Sequence, residues 1–159
     1  MRKISIMTSG ICVGKAPGIL TTRNIGSCVA VAIYNPPQRT GGLCHIAQPE
    51  KTGDRPERNL NRYAGAAIGS VVRQMENMQC LTFFSTAKIA GGANMFGVEE
   101  GLLCDIGPAN VKAVRQALRR YGIAIAGEDV LGRDCRHVIF DLADGSVRVS
   151  GPQREMRII

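Results

Sequence analysis

Between residues 27 and 47 the chain runs apolar, breaks at Asn35-Pro36-Pro37-Gln38, and runs apolar again. Proline has no N–H to give to a ladder and its φ is locked, so the break is a turn rather than part of a strand. Residues 27–34 and 42–47 are therefore expected to pair as antiparallel strands. The register that sets Asn35 opposite Gln38 makes partner numbers sum to 73. It places Cys28 opposite His45 on one face, with Cβ atoms about 4.5–5.5 Å apart. A thiol and an imidazole at that separation can share a proton.

The rest of the chain supplies more strands and two helices. Alternation at Ile4, Ile6 and Thr8 reads as a first strand over 3–8, and 18–22 as another. A polar loop covers 48–57, after which Asn59 or Asn61 is placed to cap a helix. Tyr63, Ala67, Val71 and Met75 recur every four residues along that helix, as a core-facing stripe does. A strand at 87–90 runs into Gly91-Gly92, a tight turn. Val111, Val114 and Leu118 mark a second helix over about 110–121, with Gly122 as its stop. Strands are expected again at 123–126, 137–142 and 146–150, with Asp144-Gly145 as a hairpin signal between the last two. Strand runs with two inserted helices, without strict βαβα alternation, point to an α+β layered sandwich of mixed, largely antiparallel sheet.

At 159 residues the chain fits one domain, 1–159, large enough to bury a core without metals or disulfides as staples. Aromatic residues are only 4%, so Ile, Val, Leu, Ala and Met carry that core. The apolar stretch 4–13 is interrupted by Thr8, Ser9 and Gly10 and no cleavage site follows it, which argues against a signal peptide. No apolar run approaches the length of a membrane span, and the reading is cytoplasmic. Cys12, Cys28, Cys44, Cys80, Cys104 and Cys135 are widely spaced with no C-x-x-C, so neither a zinc knuckle nor a thioredoxin-like motif is present. The expectation is no metal and no cofactor. The net charge of +7 comes from dispersed residues, without the basic runs or aromatic patterns of nucleic-acid binding. It fits solvated faces, or steering toward an acidic protein partner.

His45 and His137 are the only histidines, so a Cys–His pair has few candidates. The thiolate is the nucleophilic form of cysteine. A neighbouring imidazole takes its proton, holds the thiolate as half of an ion pair, and later protonates the leaving group. Gly26 and Ser27, just before Cys28, would let the backbone approach a substrate and turn N–H groups toward a developing oxyanion. Cys44 falls on the opposite side of its strand from His45, and His137, leading into an apolar strand, reads as structural. On spacing alone two readings of Cys28 stand side by side: a nucleophile, or a buried cysteine in an ordinary core strand.

Three stretches resemble the CheD family, the chemoreceptor glutamine deamidases of bacterial chemotaxis. The first is Thr22-Arg23-Asn24-Ile25-Gly26-Ser27-Cys28-Val29-Ala30-Val31, and the second Gly42-Leu43-Cys44-His45. The third is broader: residues 88–96, then Ile106-Gly107 with Asn110, then 132–141. The resemblance implies a Cys nucleophile, a His base and a Thr six residues before the Cys, which fall on Cys28, His45 and Thr22. It implies a fold like that of bacterial toxin deamidases, and substrates that are glutamines, with methyl-glutamates as a further possibility, on chemoreceptor cytoplasmic helices. It implies a CheC-type phosphatase as a further partner. This chain departs from the family pattern at Ala47-Gln48-Pro49, at Pro108-Ala109 and at Leu131, positions that bear on substrate contacts and docking. Two alternatives stay open: a thiol methylesterase or deamidase of another protein, and a non-catalytic adaptor that binds chemotaxis proteins.

Overall fold

The computed structural model describes residues 1–96 and 105–159. Among the described residues ten strands form two five-stranded sheets. One sheet runs β1 (Arg2–Ile6), β3 (Gly18–Ile25), β8 (Arg136–Asp141), β9 (Val147–Gly151), β10 (Arg154–Ile158). The other runs β2 (Ile11–Lys15), β5 (Thr40–Ile46), β4 (Val29–Asn35), β6 (Thr86–Gly91), β7 (Ala124–Val130). Both are mixed: β1–β3 and β6–β7 are parallel and the other pairs antiparallel. Helices α1 (Ala64–Asn77) and α2 (Ile106–Arg120) pack on the β2–β7 sheet. The layers are thus helices, sheet and sheet, an α+β sandwich.

This layering explains the continuous apolar run in β4, whose seven residues are all buried. A strand covered on both faces has no polar side to alternate with. Val29, Val31 and Ile33 join Cys44, Ile46 and the inner faces of both helices in one core. Ala30, Ala32 and Tyr34 face the other way and join Leu43, Leu20, Val138 and Phe140 in a second core between the sheets. Tyr34 and Phe140 meet edge to face across it, ring centroids 5.9 Å apart.

The β4–β5 hairpin forms, but its register is not the expected one. Asn35 pairs with Thr40, so partners sum to 75, and His45 lies opposite Ala30 rather than Cys28. A two-residue hairpin loop needs a positive φ at its first position, which proline forbids. The loop therefore takes four residues. Asn35 Oδ1 accepts the Gln38 N–H, and Arg39, at φ 47°, donates its N–H to Pro36 O. The shift is by two, so every side chain keeps its face.

Other boundaries moved for local reasons. Asn59 caps a short 3₁₀ turn at Leu60–Arg62, accepting the Asn61 N–H, while α1 starts after Tyr63 with no side-chain cap. Helix α2 begins four residues earlier than its stripe suggested, which puts Asn110 inside it. Strands β2 and β10, not anticipated from the sequence, are edges of their sheets. β7 runs to Val130 instead of stopping at 126.

Candidate active site

The chain passes from one sheet to the other in three residues. β3 ends at Ile25, residues 26–28 cross the gap, and β4 begins at Val29 in the facing sheet. Cys28 is the last residue of this crossing, half-buried and packed against the inter-sheet core.

Each carbonyl of the crossing is held. Gly26 O accepts from Ala93 N–H at 2.9 Å, Ser27 O from Asn110 Nδ2 at 2.9 Å, and Cys28 O from Gly92 N–H at 2.7 Å. The Ser27 and Cys28 N–H groups donate to no backbone carbonyl among the described residues. Two glycines make the packing possible. A Cβ on Gly26 would collide with Met95 Sδ, and one on Gly91, at φ 126°, with the Cys28 carbonyl oxygen.

His45 is fixed at both backbone and ring. Its N–H donates to Gly10 O at 3.1 Å and its carbonyl accepts from Ser9 N–H at 2.8 Å. Its side chain turns toward the facing sheet, where Thr22 Oγ1 of β3 lies 2.8 Å from Nδ1, in a buried contact. Thr22 is fully buried and His45 is 1% exposed. The other ring nitrogen, Nε2, is buried with no hydrogen-bond partner among the described residues. The structure thus brings Thr22 and His45 together directly and sets Cys28 on the same inter-sheet face, without a hydrogen bond between thiol and ring. A catalytic contact is often open before substrate binds.

Burial governs the charge states. It lowers His45 from 6.5 to about 4, so the ring is neutral near pH 7. Burial also raises the Cys28 thiol, while its own backbone N–H, lying against the sulfur, pulls the value down. Both shifts favour a thiol beside a neutral imidazole, not the resting ion pair expected from residue types alone. Cys44 shows the contrast: on the helix side of β5, fully buried, it is pushed up to about 12, with Sγ directed at Val31 O.

The remaining calls fall as follows. His137 lies on the outer face of the β1–β10 sheet, its Nδ1 accepting the Asn24 N–H at 3.3 Å. Cys80 is buried, Cys12 and Cys135 are intermediate, and Cys104 lies outside the described residues. No three His, Cys, Asp or Glu side chains converge as a metal set would require, among the described residues. Asn110 was singled out in the sequence without a role. Its side chain also donates to Ala47 O at 3.1 Å.

Comparison with known proteins decides the family. The family described as CheD chemotactic sensory transduction matches residues 46–151, about two thirds of the chain. A relative from Clostridium novyi (strain NT) is 36% identical over 148 residues, 92% of this chain and 91% of its own length. The chain belongs to the CheD family. A relative from Desulforamulus reducens is 34% identical over 148 residues, 92% of this chain and 89% of its own. One from Clostridium botulinum (strain Alaska E43 / Type E3) is 38% identical over 133 residues, 83% and 82%. All three carry the name probable chemoreceptor glutamine deamidase CheD.

The three positions set apart in the sequence have visible settings. Leu131 adopts φ 66°, a left-handed conformation that costs a side-chain-bearing residue about 1–2 kcal/mol, and it is 42% exposed. Pro108 falls in the first turn of α2, where its missing N–H costs no helical bond. Ala47 and Gln48 both donate their N–H to Arg62 O, which seats the chain beyond His45 on the turn before α1.

Proposed function

We propose that this chain is a protein-glutamine deamidase acting on chemoreceptor cytoplasmic helices, with Cys28 as nucleophile, His45 as base and Thr22 aligning the base. The observation that carries the mechanism is the Thr22–His45 contact, which occupies Nδ1 and leaves the buried Nε2 unpartnered on the face of Cys28. The names carried by the relatives support the substrate class. If Nδ1–H donates to Thr22 Oγ1, Nε2 holds the lone pair and is the basic atom.

Neutral His45 takes the Cys28 proton as the sulfur attacks the glutamine carboxamide carbon. The tetrahedral oxyanion is met by N–H groups of the crossing at Ser27 and Cys28, where Gly26 leaves no side chain in the way. Imidazolium then protonates the departing amine and ammonia leaves. The neutral ring next draws a proton from water as it attacks the thioester; collapse breaks the C–S bond, the imidazolium returns that proton to the departing sulfur, and glutamate and free thiol result. Because the resting pair is uncharged, the thiolate forms only when an electrophile is in place. This protects a half-buried thiol from idle chemistry.

A protein substrate suits the rim of the site. Met95, against Gly26, and Leu131, whose N–H donates to Gly91 O, are exposed apolar side chains near the crossing, with Arg133 and Asp134 lining a cleft beside Met95. The net charge of +7 favours encounter with acidic helices. The site of action is the cytoplasm, where those helices lie, and no helix of the described residues is long and apolar enough to cross a membrane. A CheC-type phosphatase is proposed as a regulatory partner. Incubation with a receptor cytoplasmic fragment, followed by mass spectrometry of its glutamine peptides, tests the reading. Conversion of glutamine to glutamate is expected. Receptor left unmodified by a protein that binds it tightly would favour an adaptor instead.

A further inference from the structure

Resting on the reading of Cys28 as the deamidase nucleophile, we infer that Asn110 is a positioning residue whose side-chain amide sets the oxyanion-binding direction of the Cys28 N–H. Of the three carbonyls in the crossing, the outer two are held by backbone N–H groups that do not depend on any side chain. The middle one, Ser27 O, depends on a side chain 83 residues away in the sequence. The Ser27–Cys28 peptide is trans, since the one cis bond in the described chain is Ala16-Pro17. In a planar trans peptide the C=O and the following N–H point in opposite directions. Holding Ser27 O against α2 therefore fixes the Cys28 N–H on the far side, away from the helix. That is the side on which an attacked carbonyl would carry its negative charge.

The same amide reaches the base. Nδ2 donates to Ser27 O at 2.9 Å and to Ala47 O at 3.1 Å, so both of its hydrogens are used. Ala47 is two residues beyond His45. One planar group ties the nucleophile's loop to the end of the base's strand. Helix stability does not account for the residue. Asparagine is a poor former in a helix interior, Asn110 is fully buried, and its Oδ1 has no hydrogen-bond partner among the described residues. Its donors are what the fold uses.

The test separates an oxyanion defect from a general one by giving Cys28 two reactions. Deamidation of a receptor fragment passes through an oxyanion. Alkylation by iodoacetamide, a displacement at a saturated carbon, does not. In Asn110→Ala, kcat for deamidation is expected to fall about 10²–10³-fold, with KM and the Cys28 alkylation rate within a few-fold of wild type. Asn110→Ser, too short to bridge both carbonyls, is expected to show the same split and carries the test if the alanine variant does not fold. Val114→Ala, from the buried face of the same helix, supplies a destabilised control with normal kcat. Deamidation within a few-fold of wild type in both Asn110 variants would overturn the inference, as would equal losses in deamidation and alkylation. Deamidation that survives Cys28→Ala would overturn the underlying mechanism instead, a separate result.

Discussion

The two faces of the β4–β5 hairpin have been given opposite jobs. Toward the helices they present Val29, Val31, Ile33, Cys44 and Ile46, each fully buried, in a dry aliphatic core. Toward the other sheet they present Leu43 and Tyr34, which fill the inter-sheet core, and Ala30 and Ala32, small residues that leave room, with Ala30 opposite His45 and Thr22 reaching across to its ring. The cysteines mark the contrast. Cys44 is sealed and pushed up to about 12, while Cys28 stands half-buried at the end of the crossing, packed against the inter-sheet core. Large side chains on one face fix the strands so that the other face can hold polar groups at a set distance.

The comparison breaks most visibly at the two thiols. Cys28→Ala is expected to lower kcat for deamidation on the order of 10⁴-fold or more, whereas Cys44→Ala keeps kcat within a few-fold. Peptide mapping after brief iodoacetamide treatment of the native protein should find label on Cys28 and none on Cys44. Label on Cys44 in folded protein would contradict the sealed face.

The next effect lies across the sheet interface. Thr22→Val removes the oxygen at Nδ1 and is expected to cost about 10²-fold in kcat, while Thr22→Ser, which restores that oxygen, recovers most of it. Equal activity in the two variants would mean that the hydroxyl does not align the ring.

Acid titration sharpens the comparison through His45. Its folded value, about 4, lies below the free value of 6.5, so the unfolded chain takes the proton first. The stability this represents is intact above about pH 6.5 and is lost as pH falls toward 4, about 3 kcal/mol in full. Urea midpoints at pH 7 and pH 4.5, compared with His45→Gln, isolate this part, which the variant should lack. The acid limb of kcat/KM should likewise fall near pH 4, not 6.5. An acid limb centred at 6.5 would show the ring to be well hydrated.

The smallest expected effect belongs to the helix side. Ile46→Val trims one methylene from the dry core and should cost about 1 kcal/mol of stability with kcat unchanged. Denaturant melts and kinetics on the same preparation check both halves. A loss of kcat there would show that the faces are not independent.

Much of this was legible in the sequence, for reasons that differ residue by residue. The hairpin was plain because two apolar runs flank prolines that no strand admits. The shared face of Cys28 and His45 survived a wrong register because the error was even, and faces repeat every second residue. The loop length was not legible: it depends on the Asn35 side chain closing a turn and on Arg39 accepting a left-handed backbone. β2 was missed because both of its faces are partly covered, Ile11 and Val13 toward the helices and Cys12 toward the other sheet, and β10 because it is largely exposed, so neither shows clean alternation. Thr22 was reached through resemblance, since a contact between sheets leaves no mark in local spacing. The Asn110 bridge, 83 residues from one partner and 63 from the other, is invisible for the same reason.

The three-residue crossing has a consequence for when this protein becomes an enzyme. The proposed base, His45, sits in one sheet, Thr22, proposed to align it, in the other, and Cys28, the proposed nucleophile, at the crossing between them. An intermediate with the helix-covered sheet complete and its neighbour still undocked would have a finished hairpin and a histidine with nothing at Nδ1. In such a state catalytic competence would be missing even though most of the secondary structure was in place. A chain with its sheets undocked would lack the aligned ring that the proposed deamidation needs.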